Sequence, residues 1–122
     1  MDKGKSILIT GGTGSFGQEC VRYLLANASP SRIIIFSRDE LKQDQMRKHL
    51  NESNLRYFLG DVRDIDRLRE AMDDVDFVIH AAAIKQVPSA EYNPMECIKT
   101  NINGAENIIQ VAIDKNVEKV IA

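Results

Sequence analysis

Short apolar runs, returning at intervals along the whole chain, constrain this sequence more than any other feature. Ser6-Ile7-Leu8-Ile9-Thr10 is the first, and Arg32-Ile33-Ile34-Ile35-Phe36 the second. Leu55-Arg56-Tyr57-Phe58-Leu59 and Asp76-Phe77-Val78-Ile79-His80 follow, and Val117-Glu118-Lys119-Val120-Ile121-Ala122 opens a fifth. They are short, rich in β-branched and aromatic residues, and mostly apolar on both faces. Strands of a parallel sheet covered by helices on both sides read this way.

Helical patterns fill the intervals. Phe16, Cys20, Val21, Leu24 and Leu25 fall on one helical face, and Ser29-Pro30-Ser31 ends that run. Asp39 to Leu50 is helical by propensity but sparsely apolar, which predicts a surface helix. Ile65, Leu68 and Met72 form another stripe. Ile98, Ile102, Ala105, Ile109 and Ala112 form the last, with Asn93 as cap, Pro94 at the first helical position and Glu96 bonding back. The order β-α-β-α-β-α-β-α-β predicts an α/β fold with a doubly wound parallel sheet. Residues 1–122 form one domain by this reading. The chain stops at Val120-Ile121-Ala122, inside what reads as an interior strand. This predicts a chain truncated at strand 5, with a domain that simply ends there as the alternative.

Thr10-Gly11-Gly12-Thr13-Gly14-Ser15-Phe16-Gly17 lies between the first strand and first helix. Gly11, Gly14 and Gly17 are spaced G-x-x-G-x-x-G. In a dinucleotide site they allow the turn off the strand, the approach of backbone to pyrophosphate, and close packing of helix on strand. The N–H groups from Thr13 to Phe16 then face an anion at a helix N-terminus. Gln18 stands where a mononucleotide P-loop needs Lys. These residues predict a Rossmann-type dinucleotide site.

The end of the second strand selects the cofactor. It reads Ser37-Arg38-Asp39-Glu40-Leu41-Lys42. Ser37, Arg38 and Lys42 suit a 2′-phosphate, which favours NADP. Asp39 is the complication, because NAD sites place a carboxylate there. Ser37 and Glu40 also form a capping-box pattern, and Arg38 read alone is ordinary surface charge. Beyond the third strand, Asp61-Val62 stands where an adenine edge would lie, and Asp61 and Asp64 also suit helix capping. His80-Ala81-Ala82-Ala83 ends the fourth strand with small residues. His80 reads as packed and hydrogen-bonded rather than catalytic, and His49 as solvated. Lys85 is a candidate phosphate or ribose contact. Asn101, in the poor helix-forming stretch Thr100 to Gly104, is either a bridge to the site or the partner of a kink.

Composition excludes several classes. Lys plus Arg is 16 and Asp plus Glu 18, for a net charge of −2. This balance predicts no nucleic-acid partner. No apolar run approaches the roughly 18 residues of a membrane span, and the N-terminus lacks a signal peptide's apolar region, so no membrane is expected. Cys20 and Cys97 are the only cysteines. Both read as packing, and a reducing cytoplasm is the default location. Neither metal-ligand spacing nor a nucleophile elbow is present.

The loop from Thr10 to Gly17 resembles that of extended short-chain dehydrogenase/reductases. With Ser37 to Gln43, Gly60 to Asp64, His80 to Ala83, Ala90 to Cys97 and Lys99 to Ala105, nearly the whole chain resembles the inverting UDP-N-acetylglucosamine 4,6-dehydratases of bacterial polysaccharide and pseudaminic-acid biosynthesis. The resemblance implies bound NADP used as a recycling redox partner. Hydride leaves sugar C4, water is lost across C5 and C6, hydride returns to C6, and C5 is reprotonated with inversion. It implies pyrophosphate contacts from Thr13 to Phe16 and 2′-phosphate contacts from Ser37 to Lys42. It implies adenine contacts at Asp61 and Val62, further cofactor contacts at Ala81 and Lys85, and a sugar site entered around Ser89. A UDP-sugar substrate and a homo-oligomeric full-length protein go with it. Ala82 and Asn101 are added as candidate cofactor contacts, and Lys85 also as a candidate substrate contact.

Two departures stand out. Gln86 occupies a position where close relatives are expected to carry His. The family's catalytic Ser/Thr-Asp-Lys and Tyr-x-x-x-Lys segments lie beyond the fifth strand. No Tyr here has Lys four residues on, since Tyr23 leads to Asn27, Tyr57 to Asp61 and Tyr92 to Glu96. No catalytic residue is therefore assigned, and the 122 residues alone are expected to be inactive. The alternatives are another NAD(P)-dependent sugar-nucleotide epimerase or reductase, and a binding module without a reaction.

Overall fold

The computed structural model describes residues 4–81 and 94–121, with the backbone alone over 94–103. Among the described residues, five strands alternate with four helices: β1 (Ser6–Thr10), α1 (Ser15–Asn27), β2 (Arg32–Ser37), α2 (Glu40–Arg47), β3 (Leu55–Leu59), α3 (Ile65–Ala71), β4 (Phe77–His80), α4 (Pro94–Asp114) and β5 (Lys119–Ile121). All pairings are parallel, in the order β3-β2-β1-β4-β5. The sheet is thus wound outward in both directions from β1, a Rossmann-like α/β fold.

Strand alternation divides the core in two. Leu8, Ile34, Phe36 and Val78 point to one face, where they pack with Leu68 and Met72 around α3 and with Ile108 and Val111 of α4. Ile7, Ile9, Ile33, Ile35, Phe77 and Ile79 point to the other, against Val21 and Leu24 of α1 and Met46 of α2. Successive side chains of a strand leave on opposite faces, so a run apolar at every position serves both layers. Burying one such Ile or Leu contributes about 2 kcal/mol.

Several expectations are corrected. β5 pairs with β4 and stands at one edge of the sheet formed by the described residues, with Val120 and Ile121 more than a third exposed. β3 is the other edge and leaves Arg56 exposed. On α4, Ile109 faces outward (54% exposed), and the buried stripe is Gly104, Ile108, Val111 and Ala112. One helical residue is a 100° turn, so a stripe placed one position late leaves the core. Phe16, expected on the apolar face of α1, is likewise more than half exposed. Asn93, the expected cap of α4, lies outside the described residues, and α4 continues through Thr100 to Gly104.

Candidate functional site

The carboxyl ends of β1, β2, β3 and β4 meet at one end of the sheet. Winding reverses there between β1 and β4, which opens a crevice in folds of this kind. Gly11 turns the chain off β1 with φ of +66°, a conformation open to glycine and costly for other residues. Its N–H donates to the Phe36 carbonyl at 2.8 Å, tying the loop to the end of β2. Gly17 makes the tightest approach: a Cβ there would lie 2.5 Å from the Gly11 carbonyl oxygen and the Gly12 Cα. Helix α1 therefore starts directly against the loop. Gly14 is its N-cap, and no side chain caps the first turn. The positive end of the helix is presented at the loop. Gln18 Nε2 donates to the Thr13 carbonyl at 2.8 Å and steadies the buried Thr13.

The turn from β2 into α2 is built from side chains. Ser37 is buried at the strand end, Arg38 is exposed, and Asp39 is the N-cap of α2, where its carboxylate accepts the Lys42 N–H at 3.0 Å. The capping-box expectation for Ser37 and Glu40 is therefore corrected: Asp39 caps. Ser37 instead receives Gln43 Nε2 at 3.0 Å. Glu40 and Leu41 point to solvent. Lys42 turns toward the glycine loop. It lines a cleft of about 360 Å³ with Thr13, Gly14, Ser15 and Gln18 on one wall, and Gln45, Met46 and His49 on its own. None of these eight lining residues is acidic.

At the end of β3, Asp61 lies between two guanidinium groups. Arg63 Nη2 donates to it at 2.8 Å, and Arg38 Nη1 stands 3.7 Å away. The Arg63 hydrogen bonds, above all, hold its carboxyl below the usual carboxylate range. Asp64, not Asp61, caps α3. Val62 is buried in the core beneath α4, where a Cβ on Gly104 would lie 2.7 Å from its Cγ2. Asn107 Nδ2 donates to the Val62 and Arg63 carbonyls at 3.0 and 3.1 Å, pinning this turn. Gly104 thus marks a close helix approach. At the end of β4, Thr10 Oγ1 accepts the Ala81 N–H at 3.0 Å and lies 2.8 Å from His80 Nδ1. Burial pushes the His80 imidazole down from its ordinary value, which keeps it neutral.

The structure brings Thr13, Gly14, Ser15 and Lys42 together, and separately joins Arg38 to Asp61. Ala82, Lys85, Ser89 and Gln86 lie outside the described residues, and of Asn101 only the backbone is described. Gln43, Arg63 and Asn107 were not singled out by sequence reasoning. Each is a polar residue in a polar stretch, and only the tertiary contacts distinguish it. Among the described residues no group of three or more His, Cys, Asp or Glu is placed to hold a metal. Among them, too, no helix is long and apolar enough to cross a membrane.

Comparisons with known proteins agree in kind. A family model described as polysaccharide biosynthesis protein matches residues 7–122. The chain is 62% identical over 122 residues to a UDP-N-acetylglucosamine 4,6-dehydratase (inverting) of Campylobacter jejuni, all of this chain against 36% of that protein. It is 52% identical over 120 residues, 96% of its length, to a UDP-glucose 4-epimerase of Rickettsia typhi, of which it covers 35%. Among solved structures, a dTDP-glucose 4,6-dehydratase from Streptomyces venezuelae, with NAD and TYD bound, superposes with a TM-score of 0.82 at 27% identity, over 94% of this chain and 38% of that one. The chain spans about a third of the length of the curated relatives it matches.

Proposed function

The chain belongs to the polysaccharide biosynthesis protein family, and from that premise we propose that it is the NADP-binding part of a UDP-N-acetylglucosamine 4,6-dehydratase. One observation carries the choice of NADP. The cleft beside the glycine loop holds Lys42 and no carboxylate, while the Asp39 carboxylate is committed to capping α2. A 2′-phosphate needs cations and donors there, whereas a free ribose needs the carboxylate.

The residues fit such a dinucleotide. The uncapped start of α1, which the missing Cβ at Gly17 lets sit directly against the loop, presents the backbone from Thr13 to Phe16 to a pyrophosphate. Ser37, Arg38 and Lys42 face the 2′-phosphate. Asp61 and the backbone of Val62 bound the adenine side, with Ala81, Ala82, Lys85 and Asn101 further along and Ser89 at the sugar entry. When bound, the nicotinamide supplies a hydride acceptor that gives the hydride back within one turnover. This chain's residues orient that group. No acid or base role in the sugar chemistry is assigned to the residues of this chain. The same reading carries a UDP-sugar substrate, a cytoplasmic location and a homo-oligomeric whole protein. It also treats residues 1–122 as one cofactor-binding unit.

A second reading, a UDP-sugar 4-epimerase, is favoured by the identity to the Rickettsia protein. Both reactions begin by oxidising C4, so the cofactor half serves either. Chimeras weigh the two. This chain replaces the matching third of the Campylobacter dehydratase and, separately, of the Rickettsia epimerase, and each is assayed with its parent's UDP-sugar. Turnover is expected to be retained in the dehydratase chimera and lost in the epimerase chimera; the reverse would support the second reading. In parallel, calorimetric titration of the chain is expected to give tighter binding of NADP than of NAD. Equal or reversed preference would overturn the NADP assignment.

A further inference from the structure

Gln43 is 3% exposed, the one buried polar side chain on a helix otherwise rich in charge. Its Nε2 lies 3.2 Å from the Ser37 carbonyl oxygen, 3.1 Å from the Phe58 carbonyl oxygen and 3.0 Å from Ser37 Oγ. Two of these partners are carbonyls, which only accept, so chemistry sets the amide with its NH2 inward. A carboxamide nitrogen donates and does not accept. Toward Gln43, therefore, the Ser37 hydroxyl serves only as acceptor, and its proton is turned elsewhere. Among the described residues this is the hydrogen bond that Ser37 Oγ makes.

On the reading that the cofactor is NADP, we infer that Gln43 is a positioning residue for cofactor choice: it fixes the Ser37 hydroxyl as a donor to the 2′-phosphate. Ser37 stands at the end of β2, next to Arg38 and one turn before Lys42. A phosphate oxygen only accepts, so a hydroxyl already committed as acceptor on its protein side is matched to it. A 2′-hydroxyl both donates and accepts, and gains less from the same preset. Burial sharpens the difference, because an unmade donor in a poorly solvated position is costly. The same amide also bridges the ends of β2 and β3. That bracing would affect every nucleotide alike, which gives the test its contrast.

The experiment titrates NADP and NAD, by calorimetry at one salt concentration, into the chain and its Ser37→Ala, Gln43→Met and doubly substituted forms. Circular dichroism melts run alongside. Ser37→Ala is expected to weaken NADP binding about tenfold, as loss of a hydrogen bond to a charged group does, with NAD changed less than about twofold. Gln43→Met is expected to lower the NADP-to-NAD affinity ratio by a similar factor. The double variant should lower it no further, since both act on one proton. Equal weakening of both nucleotides by Gln43→Met would reduce its role to bracing and overturn the inference. So would independent, multiplying effects in the double variant. If Gln43→Met does not fold, Ser37→Ala decides, and an unchanged ratio refutes the inference. A parent chain without NADP preference removes the reading underneath as well, whereas a preference that both variants retain defeats this inference alone.

Discussion

Two turns face the same crevice and are built on opposite plans. The β1–α1 turn is made of backbone: glycines at its turn and its helix contact, with no side chain capping α1. The β2–α2 turn is made of side chains: Asp39 caps, Gln43 holds Ser37, and Arg38 reaches toward Asp61. A backbone cradle recognises a phosphate that every dinucleotide carries. A side-chain cradle is altered one residue at a time, so it distinguishes one dinucleotide from another. On the proposed function, general binding and specific binding therefore lie on different loops.

The largest expected effect is on the backbone turn. Gly17→Ala drives a Cβ into the Gly11 and Gly12 backbone, which has no flexible end to yield. It should cost about 3 kcal/mol and lower the melting midpoint by roughly 10 °C. It should also abolish binding of both nucleotides. A stable variant that still binds either one would show that the close approach is dispensable.

Next comes the side-chain turn. Arg38→Ala should weaken NADP about tenfold and leave NAD unchanged, as loss of a charge-assisted contact predicts. Parallel loss of both would mean that the two turns do not divide the work. Asp39→Ala should destabilise the fold by about 1 kcal/mol through its cap, with the NADP-to-NAD ratio unmoved in calorimetry. Selective loss of NAD would instead give Asp39 the ribose role and blur the contrast.

The smallest effect concerns pH. Arg63, with Arg38 behind it, holds the Asp61 carboxyl below its ordinary value. The ionised form therefore favours the folded state. Its contribution is complete above the unfolded carboxyl value of about 4, and is lost as pH falls through the lower folded value. The pair is partly solvent-exposed, so the contribution should be under about 1 kcal/mol. Urea melts of the Asp61→Asn variant should show a correspondingly flatter loss of stability on the acid side than the parent. An identical slope would show that Arg63 does not stabilise the fold through this carboxylate.

The elements were legible because their signals are local. β1 and β3 carry the boundaries their apolar runs predict, and the others differ by a residue or two. The glycine loop was legible because its spacing implies its geometry. The α4 stripe was misplaced at Ile109 because Ile108, Ile109, Val111 and Ile113 offer overlapping apolar stripes, and only packing chooses among them. Lys85, Ser89 and Ala82 lie outside the described residues and remain expectations.

By itself, then, the sequence determined a doubly wound α/β sheet and a glycine turn between its first strand and first helix. Those follow from periodicity and backbone conformation, which depend on neighbours in the chain. Tertiary structure alone decided that Asp39 caps, that Gln43 is buried against Ser37 and Phe58, that Arg63 takes Asp61, and that Asn107 pins the β3 turn. A polar side chain in a polar segment carries no sign of its partner. Which hydrogen bond it makes depends on what the fold brings within about 3 Å of it.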